Sequence, residues 1–220
     1  MKEESKDLLV KGLSDLNIDI NANQIESFNI YLNELLKWNS KYNLTAITDE
    51  KNIIIKHFLD SAIISVKNPC TCGNMVDIGS GAGFPGLVLK ILKPEIFLTS
   101  VDANEKKIFF QKNLFRKLNQ NNITFIANRV DDSSFIEEFK NSFDCAVIRA
   151  FSKISEILTL SYPIVKKNGL ISIYKGKNYK IDLDELNENE IKDRFKLLKV
   201  DSYKLPFINR EHNILVFKKK

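Results

Sequence analysis

Apolar residues recur at helical spacing in the first part of the chain and in short runs after it. Leu8, Leu9, Leu13 and Leu16 share one helical face over residues 7–16, and Ile25, Phe28, Leu32 and Leu35 form a stripe over Asn23–Trp38. Ile55, Leu59, Ala62 and Val66 turn inward along a third predicted helix, Asp49–Val66. From Met75 strand and helix alternate. Strands are predicted at Met75–Ile78, Ile96–Val101, Ile123–Ile126, Phe143–Ile148 and Leu170–Tyr174. Helices run from Phe84 through Leu92, from the Asn104 cap to Leu118, and from Ile154 to Val165 before Gly169. An acidic helix, Leu183–Asp193, and two closing strands, Phe195–Tyr203 and Asn213–Lys219, flank a turn at Pro206 and Asn209. The pattern predicts an α/β fold: a parallel sheet with right-handed crossovers, preceded by a helical extension. The extension is residues 1–67 and the core residues 68–220, with a soft boundary at Lys67–Asn74 containing Asn68, Pro69 and Gly73. A cap packed on the core is favoured over a separate binding module.

The stretch Met75–Leu87, MVDIGSGAGFPGL, organises the rest. Val76 and Ile78 suit a buried parallel strand, and Gly79, Gly81 and Gly83 permit a sharp turn. Pro85 then presets the first helical turn, leaving amides and a helix dipole for a polar or anionic group. The guest is nucleotide-like, and two cofactors compete. Gly81, Gly83 and Gly86 satisfy the dinucleotide pattern G-x-G-x-x-G, with Asp102 at the end of the second strand for ribose hydroxyls, which suggests NAD. The same letters read D-x-G-x-G-x-G from Asp77, resembling the first motif of class I S-adenosylmethionine methyltransferases. In that family the first acid lies near the methionine moiety and the second binds the ribose. A ligand-free glycine turn is the third alternative.

Composition narrows the class. A chain of 220 residues with 44% apolar residues makes a folded protein with an ample core. The start, MKEESKDLLVKGL, is no signal peptide, and no run approaches the roughly 20 apolar residues of a membrane span, so the cytoplasm is expected. Cys70, Cys72 and Cys145 lack a second pair for zinc and read as free thiols. With His57 and His212 alone, a multi-histidine metal centre is excluded, and no metal is expected. The net charge of +5 permits a nucleic-acid partner without demanding one.

Other stretches carry chemistry as well as a plain structural account. WNSKYNLTAITD sets Trp38, Tyr42, Asn43 and Thr45 where periodicity does not require them, as caps or as recognition groups. KHFLDS puts His57 and Asp60 on one helical face, where a satisfied histidine is the commoner explanation. Val130 and Asp131 follow the third strand at the carboxyl edge, as adenine contacts or as an ordinary loop. Arg149, Ala150 and Phe151 follow the fourth strand, and the arginine fork there suits a carboxylate or phosphate. In YKGKNYK, Lys175, Lys177 and Lys180 interleave with Tyr174 and Tyr179, matching phosphates and unstacked bases or forming a solvated loop.

Taken together, WNSKYNLTAI, KHFLDS, DIGSGAGFPGLVL, NRVDD at Asn128–Asp132, IRAFSKI at Ile148–Ile154 and YKG at Tyr174–Gly176 resemble the bacterial 16S ribosomal RNA guanine N7-methyltransferase family, also called the glucose-inhibited division protein B family, along nearly the whole chain. The resemblance implies a class I S-adenosylmethionine methyltransferase (Rossmann-like) sheet ending in an antiparallel strand. It implies a cofactor pocket at Gly79, Phe84, Val130 with Asp131, and Arg149, joined by Asp77 and Asp102. Asp131 stands where the family often has glutamate. It implies methyl transfer to N7 of a guanine in a loop of small-subunit rRNA, with Arg149 and Lys175 positioning substrate and Asp77 positioning the cationic cofactor. Guanine N7 carries no hydrogen, so no general base is required. Lys175, Lys177, Lys180 and Lys218–Lys220 are candidate phosphate contacts, and a monomer is the default. Two rivals stand beside this reading: an NAD-dependent oxidoreductase, and a non-catalytic RNA-binding module that keeps the fold.

Overall fold

A computed structural model describes residues 1–67, 73–149, 153–186, 189–208 and 211–220. The expectations for Asn68, Pro69, Cys70, Cys72, Ala150, Phe151 and Asn209 lie outside the described residues.

Helix α1 (Glu3–Asp15) is followed by α2 (Ala22–Tyr42), whose start is fixed by reciprocal bonds. The Gln24 amide donates to Asn21 Oδ1, and the Asn21 amide donates to Gln24 Oε1. Asn43, in the left-handed region at φ 50°, ends the helix. The third predicted helix is not continuous. Asp49 caps α3 (Glu50–Ile53), the chain widens into a π-helical segment at Ile54–Leu59, and α4 (Asp60–Ala62) and α5 (Ile64–Lys67) follow. The wider turn shifts the helical register, so Val66 is exposed rather than inward.

The seven-stranded sheet runs β3-β2-β1-β4-β5-β7-β6. Strands β1 (Asn74–Ile78), β2 (Phe97–Asp102), β3 (Ile123–Ala127), β4 (Phe143–Ile148) and β5 (Val165–Lys175) are parallel. β6 (Phe195–Lys204) and β7 (Glu211–Lys219) pair antiparallel, and β7 also pairs antiparallel with β5. From β1 the chain winds outward to β2 and β3, then returns to β4 on the other side. The crevice beyond the carboxyl ends of β1 and β4 is therefore the topological switch point, where α/β sheets bind ligands.

Helices α6 (Gly86–Leu92), α7 (Glu105–Leu118), α8 (Ser133–Glu138) and α9 (Ile154–Ser161) connect the parallel strands. The predicted extension of α9 to Val165 fails because Pro163 has no N–H to carry the helical bonding past Tyr162, and β5 begins at Val165. The predicted acidic helix is two short ones, α10 (Tyr179–Asp184) and α11 (Asn189–Arg194).

Alternation along the strands sends side chains into two cores. Met75, Leu98, Cys145, Val147, Ile214 and Val216 join Leu9, Leu13, Phe28, Leu32, Phe58 and Phe110 on one face. Val76, Ile78, Ala146, Ile148, Leu215 and Phe217 join Ile154, Leu158 and Ile164 on the other. The helices of residues 1–67 thus share a core with the sheet. Each fully buried side chain there contributes about 2 kcal/mol of transfer free energy. The Gln24 carboxamide also donates to the Ile91 and Leu92 carbonyls, capping α6 from α2.

Candidate active site

A cavity of about 480 Å³ opens at the switch point, within the range of small-molecule sites. Its wall collects Gly79, Phe84, Asp102, Val130, Asp131 and Arg149 from four separate strand ends. Leu44, Thr45, His57, Lys107, Glu156 and Leu160 also line it, and the sequence pattern alone did not single out Leu44, Lys107, Glu156 or Leu160.

The glycine loop forms the floor. Gly81 has φ 59°, and a Cβ there would meet nothing nearer than the Gly79 carbonyl at 4.0 Å, so a side chain would stand in the cavity. The loop is held from below by Gln111, a polar residue on the buried face of α7. Its Nε2 donates to Ser80 Oγ (2.8 Å) and the Gly81 carbonyl (2.8 Å), while its Oε1 accepts from Ser100 Oγ (2.6 Å).

Six amides of the loop are already used within the protein. Ser80 donates to the Val101 carbonyl, Gly81 to Asp102 Oδ2, Gly83 and Phe84 to the Ser80 carbonyl, Gly86 to Asp77 Oδ2, and Leu87 to the Gly83 carbonyl. A dinucleotide pyrophosphate needs such amides at the helix N-terminus. Here the carboxylates of Asp77 and Asp102 take that place, which disfavours the NAD reading. A ligand carrying positive charge fits this floor.

Asp77 lies beneath the loop rather than in the wall. Flanked by Val76 and Ile78, it points to the opposite face of β1, is fully buried, and caps α6 through Gly86 at 2.8 Å. Its expected direct contact with a cofactor is not offered by this placement, because the loop covers it. Its Oδ1 has no hydrogen-bond partner among the described atoms. Burial, aided by the Asp102 charge, pushes its carboxyl up to about 7, against the Gly86 bond and the Arg149 charge. In the unfolded chain the group loses its proton near pH 4. Between these values the folded state holds more protons, so stability falls as pH rises from about 4 to about 7. Asp77→Asn should flatten that segment of the stability curve, read by urea midpoints across the window. Parallel curves for the two proteins would contradict the burial argument.

Arg149 ties the helical extension to the crevice. Its Nη1 donates to Ser61 Oγ (2.9 Å) and the His57 carbonyl (3.4 Å), and it pairs with Asp60 at 3.4 Å. Its Nη2 donates to the Lys56 carbonyl (2.9 Å) and to His57 Nδ1 (2.7 Å). With Nδ1 accepting, His57 Nε2 carries the hydrogen and donates to Thr45 Oγ1 at 2.8 Å. Burial and the Arg149 charge push the imidazole down to about 3, so it is neutral. Its ring stacks on Phe84 at 4.5 Å, and Phe84 stacks on Tyr31 at 5.3 Å. The Tyr31 hydroxyl donates to the Ala82 carbonyl at 2.6 Å, closing the circuit back to the loop.

Asp60 is the hub beneath Arg149. It accepts from Tyr203 (2.7 Å) and lies 3.1 Å from His212. Burial alone would raise its pKa, but His212, the Arg149 charge and Tyr203 outweigh it and hold the carboxyl below its ordinary value.

The cationic stretches are less available than their sequence suggests. Lys175 does not line the cavity; it pairs with Asp182 at 2.6 Å. Tyr174 is buried with its hydroxyl on the Ser61 carbonyl, so it offers no face to a base. Lys219 is buried among Asn141, Tyr162 and Val165, which removes it from the phosphate contacts. Cys145 is a buried thiol outside any disulfide, and no helix among the described residues is long and apolar enough to cross a membrane.

The sequence matches the family model GidB, described as rRNA small subunit methyltransferase G, over residues 24–214. It is 41% identical over 180 residues to ribosomal RNA small subunit methyltransferase G of Geobacter sp. (strain M21), covering 81% of each chain. The protein of the same name in Caldanaerobacter subterraneus subsp. tengcongensis is 36% identical over 223 residues, covering 100% of this chain and 92% of that one. Bacillus subtilis (strain 168) has another at 34% over 209 residues, covering 94% and 87%. Among solved structures, the fibrillarin/Nop5p complex aligns with TM-score 0.57 and 15% identity over 75% of this chain and 82% of that one. The tRNA methyltransferase TrmK of Bacillus subtilis aligns with TM-score 0.56 and 15% identity over 75% and 66%. Both share the fold. On sequence, over nearly its whole length, the chain belongs to the rRNA small subunit methyltransferase G family.

Proposed function

We propose that this protein transfers a methyl group from S-adenosylmethionine to N7 of a loop guanine in 16S rRNA of the small ribosomal subunit. The observation that carries the reading is the one cavity in which Gly79, Phe84, Asp102, Val130, Asp131 and Arg149 meet above a floor where the Ser80, Gly81, Gly83, Phe84, Gly86 and Leu87 amides are spent within the protein. Bound there, the cofactor supplies an electrophilic methyl on a sulfonium.

The protein's residues bind and orient. Asp102, with Oδ2 on Gly81 and Oδ1 on Asn104, keeps lone pairs for ribose hydroxyls. Val130, in the turn after β3, offers an apolar surface to the adenine, and Asp131 an acceptor beside it, steadied by Arg129 at 2.7 Å. Arg149 spends four of its five N–H donors on the protein, so it acts chiefly as a positioning residue that fixes His57 and, through it, Phe84. Lys175, held by Asp182, is a weaker candidate for RNA contact.

Among the described wall residues, His57 is committed on both nitrogens, Asp102 accepts from Gly81 and Asn104, and Asp131 accepts from Arg129, while Asp77 lies under the loop; the reading gives none of them a proton to remove. A ring nitrogen with an in-plane lone pair needs none. Catalysis is then alignment of nucleophile, methyl and sulfur, an effect on the order of 7–11 kcal/mol at best. An rRNA substrate puts the enzyme in the cytoplasm, where ribosomes are made.

The test is to incubate the protein with small-subunit rRNA and methyl-labelled S-adenosylmethionine, digest the RNA, and identify the labelled nucleoside by mass spectrometry. The expected product is 7-methylguanosine at one site. Label in another nucleoside would overturn the choice of N7, and no label in rRNA or assembled subunits would overturn the reading.

A further inference from the structure

A second groove lies beside the crevice. It has a volume of about 510 Å³ and is lined by Trp38 and Tyr42 of α2, Glu105, Lys106 and Phe109 of α7, and Lys112. Tyr42 is 44% exposed and Phe109 58% exposed, although both are large apolar rings. The Trp38 ring lies 5.3 Å from Tyr42 and 5.6 Å, edge-on, from Phe109. Its orientation is fixed from behind: Nε1–H donates to Glu34 at 3.3 Å, and Glu34 in turn pairs with Lys117 at 2.6 Å.

Trp38 packs its inner side on the core, against Phe110 at 5.8 Å, whereas the Tyr42 and Phe109 rings stand out at the surface beside the exposed Lys106 and Lys112, more aromatic area than the core covers. The groove neighbours the cofactor crevice: Lys106 and Ala127 line one, and the residues next to them in the chain, Lys107 and Asn128, line the other. Bases present an aromatic face whatever their sequence, and phosphates seek cations. An acidic peptide would find the cations but not use the ring faces.

We propose that Trp38, Tyr42 and Phe109 form a stacking platform for an unpaired nucleotide flanking the methylated one, with Lys106 and Lys112 on its phosphates. The proposal rests on RNA being the substrate. It assigns a role to the aromatic residues of WNSKYNLT, which the cofactor pocket leaves without one.

Trp38 is the chain's one tryptophan, so its emission reads this groove directly. A short single-stranded RNA oligonucleotide carrying a fluorescent label serves as probe, with binding followed by anisotropy and by tryptophan emission in the same titration. Quenching of Trp38 at the midpoint of the anisotropy change is expected. Phe109→Ala should weaken RNA binding about tenfold while S-adenosylmethionine affinity stays unchanged. Lys112→Ala should lower the slope of log affinity against log salt by about one. RNA binding with unaltered Trp38 emission and wild-type affinity in Phe109→Ala would overturn the platform while leaving methyl transfer standing. Failure of the wild type to methylate rRNA sinks the enzymatic reading instead, so the two failures are told apart.

Discussion

Arg149→Ala is expected to melt about ten degrees below the wild type and to bind S-adenosylmethionine at least tenfold more weakly. The guanidinium is 15% exposed and Asp60 7%, so truncation leaves a buried carboxylate short of one cationic partner. Breaking such a pair costs about 3 kcal/mol, and for a chain of this length each kcal/mol moves the melting temperature by about 3 °C. Tyr203 and His212 still reach Asp60, which keeps the protein folded at room temperature. The binding loss has a different origin. Without Nη2 on Nδ1, His57 is no longer pinned between Arg149 and Thr45, and the Phe84 ring loses the neighbour that fixes it against the cavity. Arg149→Lys keeps the charge but not the fork, and should recover part of the stability and little of the binding. Thermal unfolding and calorimetry separate the two effects; wild-type values in both would remove Arg149 from the site.

Gly83→Ala should be the most destabilising change in the loop. Gly83 has φ 97°, and its Cβ would fall 2.5 Å from Leu87 Cδ1 and 2.6 Å from the Tyr31 hydroxyl. Both neighbours are fully buried, and Tyr31 is held on the Ala82 carbonyl. Backbone strain and overpacking together cost about 4 kcal/mol. Gly81→Ala is the instructive contrast. Its φ of 59° is milder, and its Cβ would project into open space. That variant should lose about 1 kcal/mol of stability yet bind cofactor poorly, because the methyl group stands where the ligand lies. If Gly81→Ala binds normally, the floor of the cavity is not the ligand surface.

Much of this site was legible in the sequence because it follows from chain direction and strand ends. Once β1, β2, β3 and β4 are read from their apolar runs, Gly79, Asp102, Val130, Asp131 and Arg149 must meet at one edge of a parallel sheet. Asp77 was placed in the crevice by its motif, although its alternation with Val76 and Ile78 already directed it to the other face of β1. Gln111 carried a signal too, as a polar residue three after Ile108 and three before Leu114 on the buried face of α7. The π-helical widening at Ile54–Leu59 carried none. The pattern of residues 49–66 reads as an ordinary amphipathic helix, and the Lys56 and His57 carbonyls become partners for Arg149 only in the assembled structure. The lysines misled for a related reason. Lys175 and Lys219 look solvated in sequence, but the first is held by Asp182 on the short helix that follows its strand, and the second by the Tyr162 and Val165 carbonyls, 57 and 54 residues away in the chain.

The central claim is that the glycine loop after β1 holds S-adenosylmethionine so that its methyl faces an RNA base. The most direct measurement is a crystal structure with S-adenosylhomocysteine, the demethylated product. The account predicts the adenosine between Asp102 and Val130, its sulfur beside the Gly79–Phe84 loop and open toward Arg149. A ligand bound elsewhere, with that loop left uncontacted, would contradict it.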